Sequence, residues 1–364
     1  MKTKILIVII ALLAVGTGVW YWTAQTRNRE GAGGPSDSHL PGANPFGASR
    51  TPAQTPDAAS VPKAPSGEPA VYKGFWMPAM YLDDGQQDMS SVARLKDASA
   101  NIVLIGPNAK INSAGEARFD VPEDYIETRL YQLAKRYYGA GIRIGFAIET
   151  LYVRSFSDNS PAGGPGAFPS DKASQPGFLD NYNQLVARMA KLAQKYHVDI
   201  FSPMNEPDLK LGPAAASKWG QEVLPLVKEN YSGKILWKSA GGALDKYNTN
   251  FKGYGIIGFD PSPGGGPFEQ SMATYRQALE NLLTIAQSRA ARDNVPKIMV
   301  TEFGVWGGAL SFTEEQKVLA HRAVFEAAQG KVSGFFALDP PRDLDRGLAG
   351  TETLKEITAW FKKL

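Results

Sequence analysis

Cysteine is absent from all 364 residues, which excludes disulfides, thiol catalysis and metal sites built on thiolates. Histidine is nearly absent, since His39, His197 and His321 are the only three in the chain. His39 lies in a low-complexity stretch, and the other two fall within or just after helical patterns. A histidine-built metal site or a Ser-His-Asp triad is therefore not expected. Carboxylates remain as the groups for difficult chemistry, and nothing in the sequence indicates a metal or another cofactor.

The chain also lacks a strong charge of either sign. Its formal net charge is +3, with 43% hydrophobic and 21% charged residues, which is typical of a globular protein. Basic residues do not cluster with interleaved aromatic residues, so a nucleic-acid partner is not expected. The length suits one large domain or two ordinary ones.

An apolar run from Ile5 to Trp22 follows Lys2 and Lys4 at the N-terminus. Its length approaches the roughly 20 residues that span a bilayer, and it ends in aromatic residues that suit a membrane interface. We interpret residues 1–23 as an uncleaved signal anchor that contacts the membrane. The basic flank would stay in the cytoplasm, and the rest of the chain would be exported to the periplasm or the exterior. A cleaved signal peptide, which would yield a secreted protein, is the alternative.

Residues 24–70 are rich in proline, glycine, alanine and serine, and they show no apolar periodicity. Such a composition cannot bury a core, so this segment is predicted to be a disordered linker. Its prolines would make it a semi-extended spacer between the membrane and a folded domain at 71–364.

A strand-like run recurs along the predicted domain. These runs cover 71–80, 101–107, 142–149, 198–205, 234–240, 254–260, 297–303 and 332–338. Amphipathic helical patterns separate most of them, at 123–138, 178–196, 213–229, 268–291, 313–329 and 351–363. Alternating strands and helices predict parallel pairing, and eight such units predict a closed (β/α)8 TIM barrel. An open doubly wound sheet is the alternative, but no phosphate-binding glycine loop follows the first run.

Barrel enzymes place their chemistry at the C-terminal ends of the strands, and two of these ends carry a glutamate. The fourth run ends in Asn205, which Glu206 and Pro207 follow, and Glu302 is the next-to-last residue of the seventh run. Because a proline disfavours helical geometry in the residue before it, Glu206 is predicted to be extended at the strand tip. Other strand ends supply aromatic rings, amides and acids, namely Trp76, Tyr81, Asn108, Glu149, Asp260 and Trp306. Such a cup of acids, amides and ring faces suits a sugar ligand.

Met204-Asn-Glu-Pro207 on the fourth strand and Thr301-Glu-Phe-Gly304 on the seventh together resemble clan A of the retaining glycoside hydrolases. That clan is the (β/α)8-barrel superfamily of many cellulases, mannanases, galactanases and xylanases, and the resemblance spans 71–364. It implies that Glu206 is the general acid/base, that Glu302 is the nucleophile and that Asn205 donates a hydrogen bond to the 2-hydroxyl of the sugar. It also implies a polysaccharide or oligosaccharide substrate, cleaved at internal β-linkages by a monomeric catalytic domain.

Two alternatives to a hydrolase stay open, and departures at other strand ends favour one of them. Many clan members carry an arginine on the second strand and a histidine near the third, whereas here the second strand has no arginine and the third ends in Glu149. A barrel that binds glycan without cleaving it, within a surface polysaccharide apparatus, is therefore one alternative. A transglycosidase, in which an acceptor sugar replaces water, is the other.

Overall fold

The computed structural model describes residues 61–78, 88–156, 168–246, 248–264, 266–305, 309, 311–339 and 347–364. The predicted anchor at 1–23 and most of the predicted linker lie outside these residues, as do the predicted sugar contacts Tyr81 and Trp306. Within the described ranges, no helix is both long enough and apolar enough to cross a membrane.

The strands alternate with helices along the chain. The strands are β1 (Tyr72–Met77), β2 (Ile102–Ile105), β3 (Asn108–Ile111), β4 (Ala117–Phe119), β5 (Arg143–Ala147), β6 (Glu149–Tyr152), β7 (Ile200–Ser202), β8 (Lys234–Ala240), β9 (Ile256–Asp260), β10 (Lys297–Phe303) and β11 (Gly334–Leu338). The helices are α1 (Val92–Asp97), α2 (Glu123–Tyr138), α3 (Ser170–Ala173), α4 (Asp180–Lys195), α5 (Pro207–Leu211), α6 (Pro213–Asn230), α7 (Gly241–Lys246), α8 (Phe268–Asp293), α9 (Glu314–Ala328) and α10 (Glu352–Lys363).

Eight of the strands form a closed parallel barrel in the order β1-β11-β10-β9-β8-β7-β5-β2. The last strand closes against the first, with Tyr72 opposite Gly334. Each of the eight predicted runs contains one barrel strand, so the predicted (β/α)8 barrel is confirmed. Counted along the chain, β7 is the fourth barrel strand, β8 the fifth, β9 the sixth and β10 the seventh.

The helices bury one apolar face each against the outside of the barrel. On α4, the buried residues include Tyr182, Leu185, Val186 and Met189, whose spacing of three and four makes one stripe. A second apolar cluster fills the inside of the barrel and contains Trp76. The barrel therefore has a packed interior beneath the cup formed by its C-terminal strand ends.

Residues 61–70 differ from the disordered linker that the sequence predicted. Arg143, at the start of β5, donates hydrogen bonds to the carbonyl oxygens of residues 65 and 66 at 3.1 Å and also to that of residue 67. Glu68 lies 3.3 Å from Lys297, which begins β10. Because these partners stand at the N-terminal ends of strands, the segment lies across the bottom of the barrel. Polar contacts hold this segment in place, and such contacts leave no apolar periodicity in the sequence.

A small sheet that the sequence analysis did not foresee has the order β4-β3-β6. Its strands are only three or four residues long and follow barrel strands β2 and β5 closely, so the sequence pattern merges them with strand ends. In this sheet Asn108 stands opposite Glu149. Two predicted site residues are thereby brought side by side at the C-terminal end of the barrel.

Candidate active site

Glu206 lies after β7 at the N-terminal cap of α5, with φ 49° and ψ 53° in the left-handed region. The prediction of an extended Glu206 is wrong, because β7 ends at Ser202 and the chain turns before it reaches Pro207. A left-handed residue other than glycine costs about 1–2 kcal/mol. The turn is held by a 2.9 Å hydrogen bond from the Glu206 amide to the carbonyl oxygen of Lys238. Backbone strain of this kind clusters at functional sites.

Glu302 lies near the end of β10, where the register with β11 shifts between Val300 and Phe303. Successive residues of a regular strand point to opposite faces. Here the side chains of Thr301 and Glu302 both reach the same polar cluster, since Thr301 contacts Asp260 and Glu302 contacts Lys238. A bulge at this position explains how both side chains reach that cluster.

Lys238 is the centre of that cluster and is fully buried, with 0% of its side chain exposed. Its ammonium nitrogen lies 2.5 Å from Asp260 Oδ2 and 2.8 Å from Glu302 Oε2. It also stands 4.7 Å from the ring centroid of Trp76, which suits a cation–π contact. The sequence analysis missed this lysine. The signal in the sequence was a lysine directly after the apolar Ile235, Leu236 and Trp237 of β8, because a charge buried in a strand needs acidic partners.

Asp260 ends β9 and was predicted to contact the sugar. Instead, both of its oxygens are engaged within the protein: Thr301 Oγ1 donates to Oδ1 at 2.7 Å, and Lys238 donates to Oδ2. Only 4% of the Asp260 side chain is exposed. The residue thus serves mainly as a partner of Lys238 and has little surface to offer a ligand.

Asn205 and Glu149 are joined directly, since Asn205 Nδ2 donates to Glu149 Oε2 at 2.6 Å. The buried Lys210, on α5, bonds the other oxygen of Glu149 and donates to the carbonyl oxygen of Thr150 at 2.7 Å. One amide hydrogen of Asn205, which the resemblance assigned to the sugar, therefore goes to Glu149. The buried Oδ1 of Asn205 has no hydrogen-bond partner among the described residues.

Trp76 differs from its predicted role as a stacking platform. It is 1% exposed and packs among the interior side chains of the barrel, facing Lys238, so it has no free ring face for a sugar. Asn108 is partly exposed on β3 and stays compatible with the predicted contact.

Asp208 is a further buried acid that the sequence analysis missed. It accepts hydrogen bonds from the hydroxyl of Ser239 and, at 3.0 Å, from the amide of Ala240. Both partners follow Lys238 directly in β8. Asp208 therefore fixes the short helix that begins after Glu206 to the strand that carries Lys238.

Solved structures of similar fold include several glycoside hydrolases. A GH113 β-1,4-mannanase superposes with a TM-score of 0.58 at 15% identity over 81% of this chain and 99% of that one. The GH113 β-mannanase of Alicyclobacillus acidocaldarius gives a TM-score of 0.56 at 14% identity, over 80% and 97%. An endo-1,4-β-D-mannanase of Thermotoga petrophila gives 0.56 at 13%, over 81% and 100%. No protein-family model matches the sequence, and no curated protein matches it.

The fold implied by the clan A resemblance is confirmed. At 13–15% identity these likenesses show the fold alone, so the chemistry has to be argued from the residues of this chain. Within the described part of the chain, no three acidic or histidine side chains are grouped to hold a metal ion.

The electrostatics of the cluster separate its acids. Burial raises the pKa of Glu206 well above the usual range, and the charges of Asp260 and Glu302 add to this against the effect of Lys238. Burial also raises the pKa of Asp260 to about 7, although Lys238 opposes it. Burial disfavours the charge of Lys238, but the carboxylates of Asp260 and Glu302 outweigh it and raise the pKa of that ammonium. Three carboxyl groups around one ammonium therefore retain a proton near neutral pH.

Proposed function

We propose that this chain is a retaining glycoside hydrolase that cleaves β-glycosidic bonds of a polysaccharide. The observation that carries the proposal is the difference between two glutamates at the ends of the fourth and seventh barrel strands. Glu302 is ion-paired with Lys238, whereas burial and neighbouring negative charge favour the protonated form of Glu206. A retaining mechanism requires one ionised and one protonated carboxyl group at such a pair of positions.

The first step forms a covalent intermediate. The carboxylate of Glu302 attacks the anomeric carbon while the glycosidic carbon–oxygen bond breaks. The bonding electron pair leaves with the oxygen, which takes the proton of Glu206. In the second step, the carboxylate of Glu206 removes a proton from water, and the water oxygen attacks the anomeric carbon. Glu302 departs as a carboxylate, and the anomeric configuration is retained.

The substrate proposed for first testing is a β-1,4-linked mannan, cut within the chain. This choice follows from the solved structures of similar fold, which are named β-1,4-mannanase and endo-1,4-β-D-mannanase. An endoglucanase of similar fold makes β-linked glucan the second choice. A membrane-anchored location outside the cytoplasm rests on the sequence pattern of residues 1–23 and stays a prediction.

The test uses the full chain with Glu302→Ala, Glu206→Ala and the control Glu123→Ala, whose glutamate lies on the exposed face of α2. New reducing ends are measured on β-mannan, β-glucan and aryl β-oligosaccharides. Wild type and the control should release reducing ends, and both site variants should lose at least about 10³-fold in turnover of the polysaccharides.

Azide then separates the two roles on an aryl glycoside. In Glu302→Ala, azide attacks from the vacated side and should give the α-glycosyl azide. In Glu206→Ala, azide attacks the covalent intermediate and should give the β-glycosyl azide. Unchanged turnover in either variant would refute the assignment. Binding of one glycan without turnover by wild type would indicate the glycan-binding barrel, and sugar transfer in place of hydrolysis would indicate the transglycosidase.

A further inference from the structure

Burial of the charged Lys238 inside the barrel is energetically unfavourable. An ammonium removed from water carries a desolvation penalty of several kcal/mol, and an apolar side chain of similar volume would avoid it. The penalty is offset here by two carboxylates from neighbouring strands, Asp260 on β9 and Glu302 on β10. Apolar residues at all three positions would need no ion pair. The buried charges therefore indicate a functional role for this site.

The geometry ties Lys238 to both candidate catalytic glutamates. Its side chain donates to Glu302 Oε2 at 2.8 Å, while its backbone carbonyl accepts the amide of Glu206 at 2.9 Å. The backbone of Asn205 also forms an isolated parallel β-bridge with the backbone of Lys238. A single residue on the fifth strand thus links the turn that carries one glutamate with the carboxylate of the other.

We propose that Lys238 is the positioning residue for both glutamates: its ammonium orients the carboxylate of Glu302, and its backbone carbonyl holds the turn that presents Glu206. The inference rests on the proposed function, because it assigns the two glutamates their roles. The residues implied by the clan resemblance did not include it, since the cation expected there was an arginine on the second strand. In this chain the cation comes from the fifth strand.

The charge balance of the reaction supports a permanent cation at this position. When Glu302 forms the glycosyl ester it loses its negative charge, and in the same step Glu206 gains one by giving up its proton. The net charge around Lys238 is the same before and after, with Asp260 as its constant partner. Lys238 can therefore stay charged through both steps without exchanging a proton.

The surrounding charges do not provide a substitute. The second buried lysine, Lys210, is already paired with Glu149, and the buried Asp208 is satisfied by the hydroxyl of Ser239 and a backbone amide. On β1, the uncharged ring of Trp76 lies 4.7 Å from the ammonium. Among the described residues that face the cluster, Lys238 is thus the cation that contacts Glu302 directly.

The activity test compares Lys238→Met with Lys238→Arg and with Lys238→Met/Asp260→Asn. Lys238 lowers the pKa of Glu206, so removal of the cation should raise that pKa and move the alkaline limb of the pH profile of kcat/KM to higher pH by about one unit or more. We expect kcat to fall more than tenfold with a smaller change in KM. The arginine variant keeps the charge and should keep the alkaline limb in place. The double variant, which removes a cation and an anion together, should return it toward wild type.

A second arm needs no substrate. Without Lys238, the folded state holds three buried carboxyl groups with no cation between them, so it should bind more protons than wild type. The stability of Lys238→Met, measured by urea unfolding, should therefore increase more steeply than that of wild type as the pH falls from 8 to 5. If the single variant does not fold at pH 8, folding that is recovered at pH 5 or in the double variant is the expected pattern.

The two arms fail independently. Parallel stability curves for wild type and Lys238→Met, or an unshifted alkaline limb in the pH profile, would overturn the role of Lys238 even where hydrolysis is real. A steeper stability curve without turnover of any glycan by wild type would support the charge arrangement and reject the hydrolase.

Discussion

The amide of Asn205 donates to Glu149 Oε2 at 2.6 Å, and this bond joins the turn before Glu206 to the small three-stranded sheet. The other oxygen of Glu149 is bonded by the ammonium of Lys210, whose side chain is 3% exposed. The carboxylate of Glu149 therefore bonds both Asn205 and Lys210, which lie on either side of the candidate acid/base Glu206 in the chain. The small sheet, which carries Glu149 on β6, is thus a support for the site.

Replacement of Glu149 by alanine should be strongly destabilising. It would leave the buried ammonium of Lys210 without its carboxylate and free the amide of Asn205, and loss of one partner of a buried ion pair costs about 3–5 kcal/mol. Urea unfolding at pH 7 measures this loss. The matched control is Glu123→Ala, which removes a 2.7 Å ion pair with Arg188 whose side chains are 46–47% exposed. The control should lose less than about 1 kcal/mol, and equal losses in the two variants would contradict the buried-pair interpretation.

The barrel and the pair of glutamates were predictable from sequence because both are encoded locally. Apolar runs with a strand period alternate with helical stripes, and each glutamate lies at the end of such a run or directly after it. The sequence therefore predicted that Glu206 and Glu302 meet at one end of the barrel. In the structure both belong to the cluster around Lys238, and the charge of Glu302 contributes to the raised pKa of Glu206.

The remaining features depend on contacts between distant residues. The acids that pair with Lys238 lie on β9 and β10. The pairing can therefore be seen only once the strands are arranged in the barrel. Trp76 was assigned to the cup, but its register places the ring inside the barrel, since neighbouring positions of a strand face opposite sides. The left-handed Glu206 runs against the local preference set by Pro207, and the hydrogen bond to the Lys238 carbonyl helps to impose it.

The segment at 61–70 should be released when its anchor is removed. Arg143 is buried and donates to three successive carbonyl groups, and each hydrogen bond to a charged group contributes about 1.5–3 kcal/mol. In Arg143→Met, trypsin should therefore cleave after the exposed Lys63 at least about tenfold faster than in wild type, because cleavage follows the population of the open segment. Mass spectrometry detects the product that begins at Ala64. Arg188→Met, which removes an exposed arginine on α4, should leave the rate unchanged, and a rate unchanged in both variants would refute the anchoring.

Asp208 should make the stability of the protein depend on pH. Burial raises its pKa to about 6, against the opposing hydrogen bond from Ser239. Between its unfolded value near 4 and its folded value near 6, the folded state binds more protons than the unfolded state, so the contribution of Asp208 to stability falls as the pH rises through this window. The stability of wild type relative to Asp208→Asn should therefore fall by about 3 kcal/mol from pH 4 to 7. Urea unfolding at several pH values measures the difference, and a difference constant with pH would contradict the raised pKa.

Gly258 should tolerate no side chain, because it makes room for the threonine that orients Asp260. On β9 it stands in register with Lys238, and an added Cβ would lie 2.5 Å from both Oγ1 and Cγ2 of Thr301. Gly258→Ala should therefore displace Thr301, lower the free energy of unfolding by about 1–3 kcal/mol and reduce turnover of the substrate. Gly242→Ala is the matched control, since a Cβ at that position meets no atom within 4 Å. It should be neutral or stabilising by up to about 1 kcal/mol. Thermal unfolding and turnover measured on both variants decide the point, and equal effects would show that the space around Thr301 is not required.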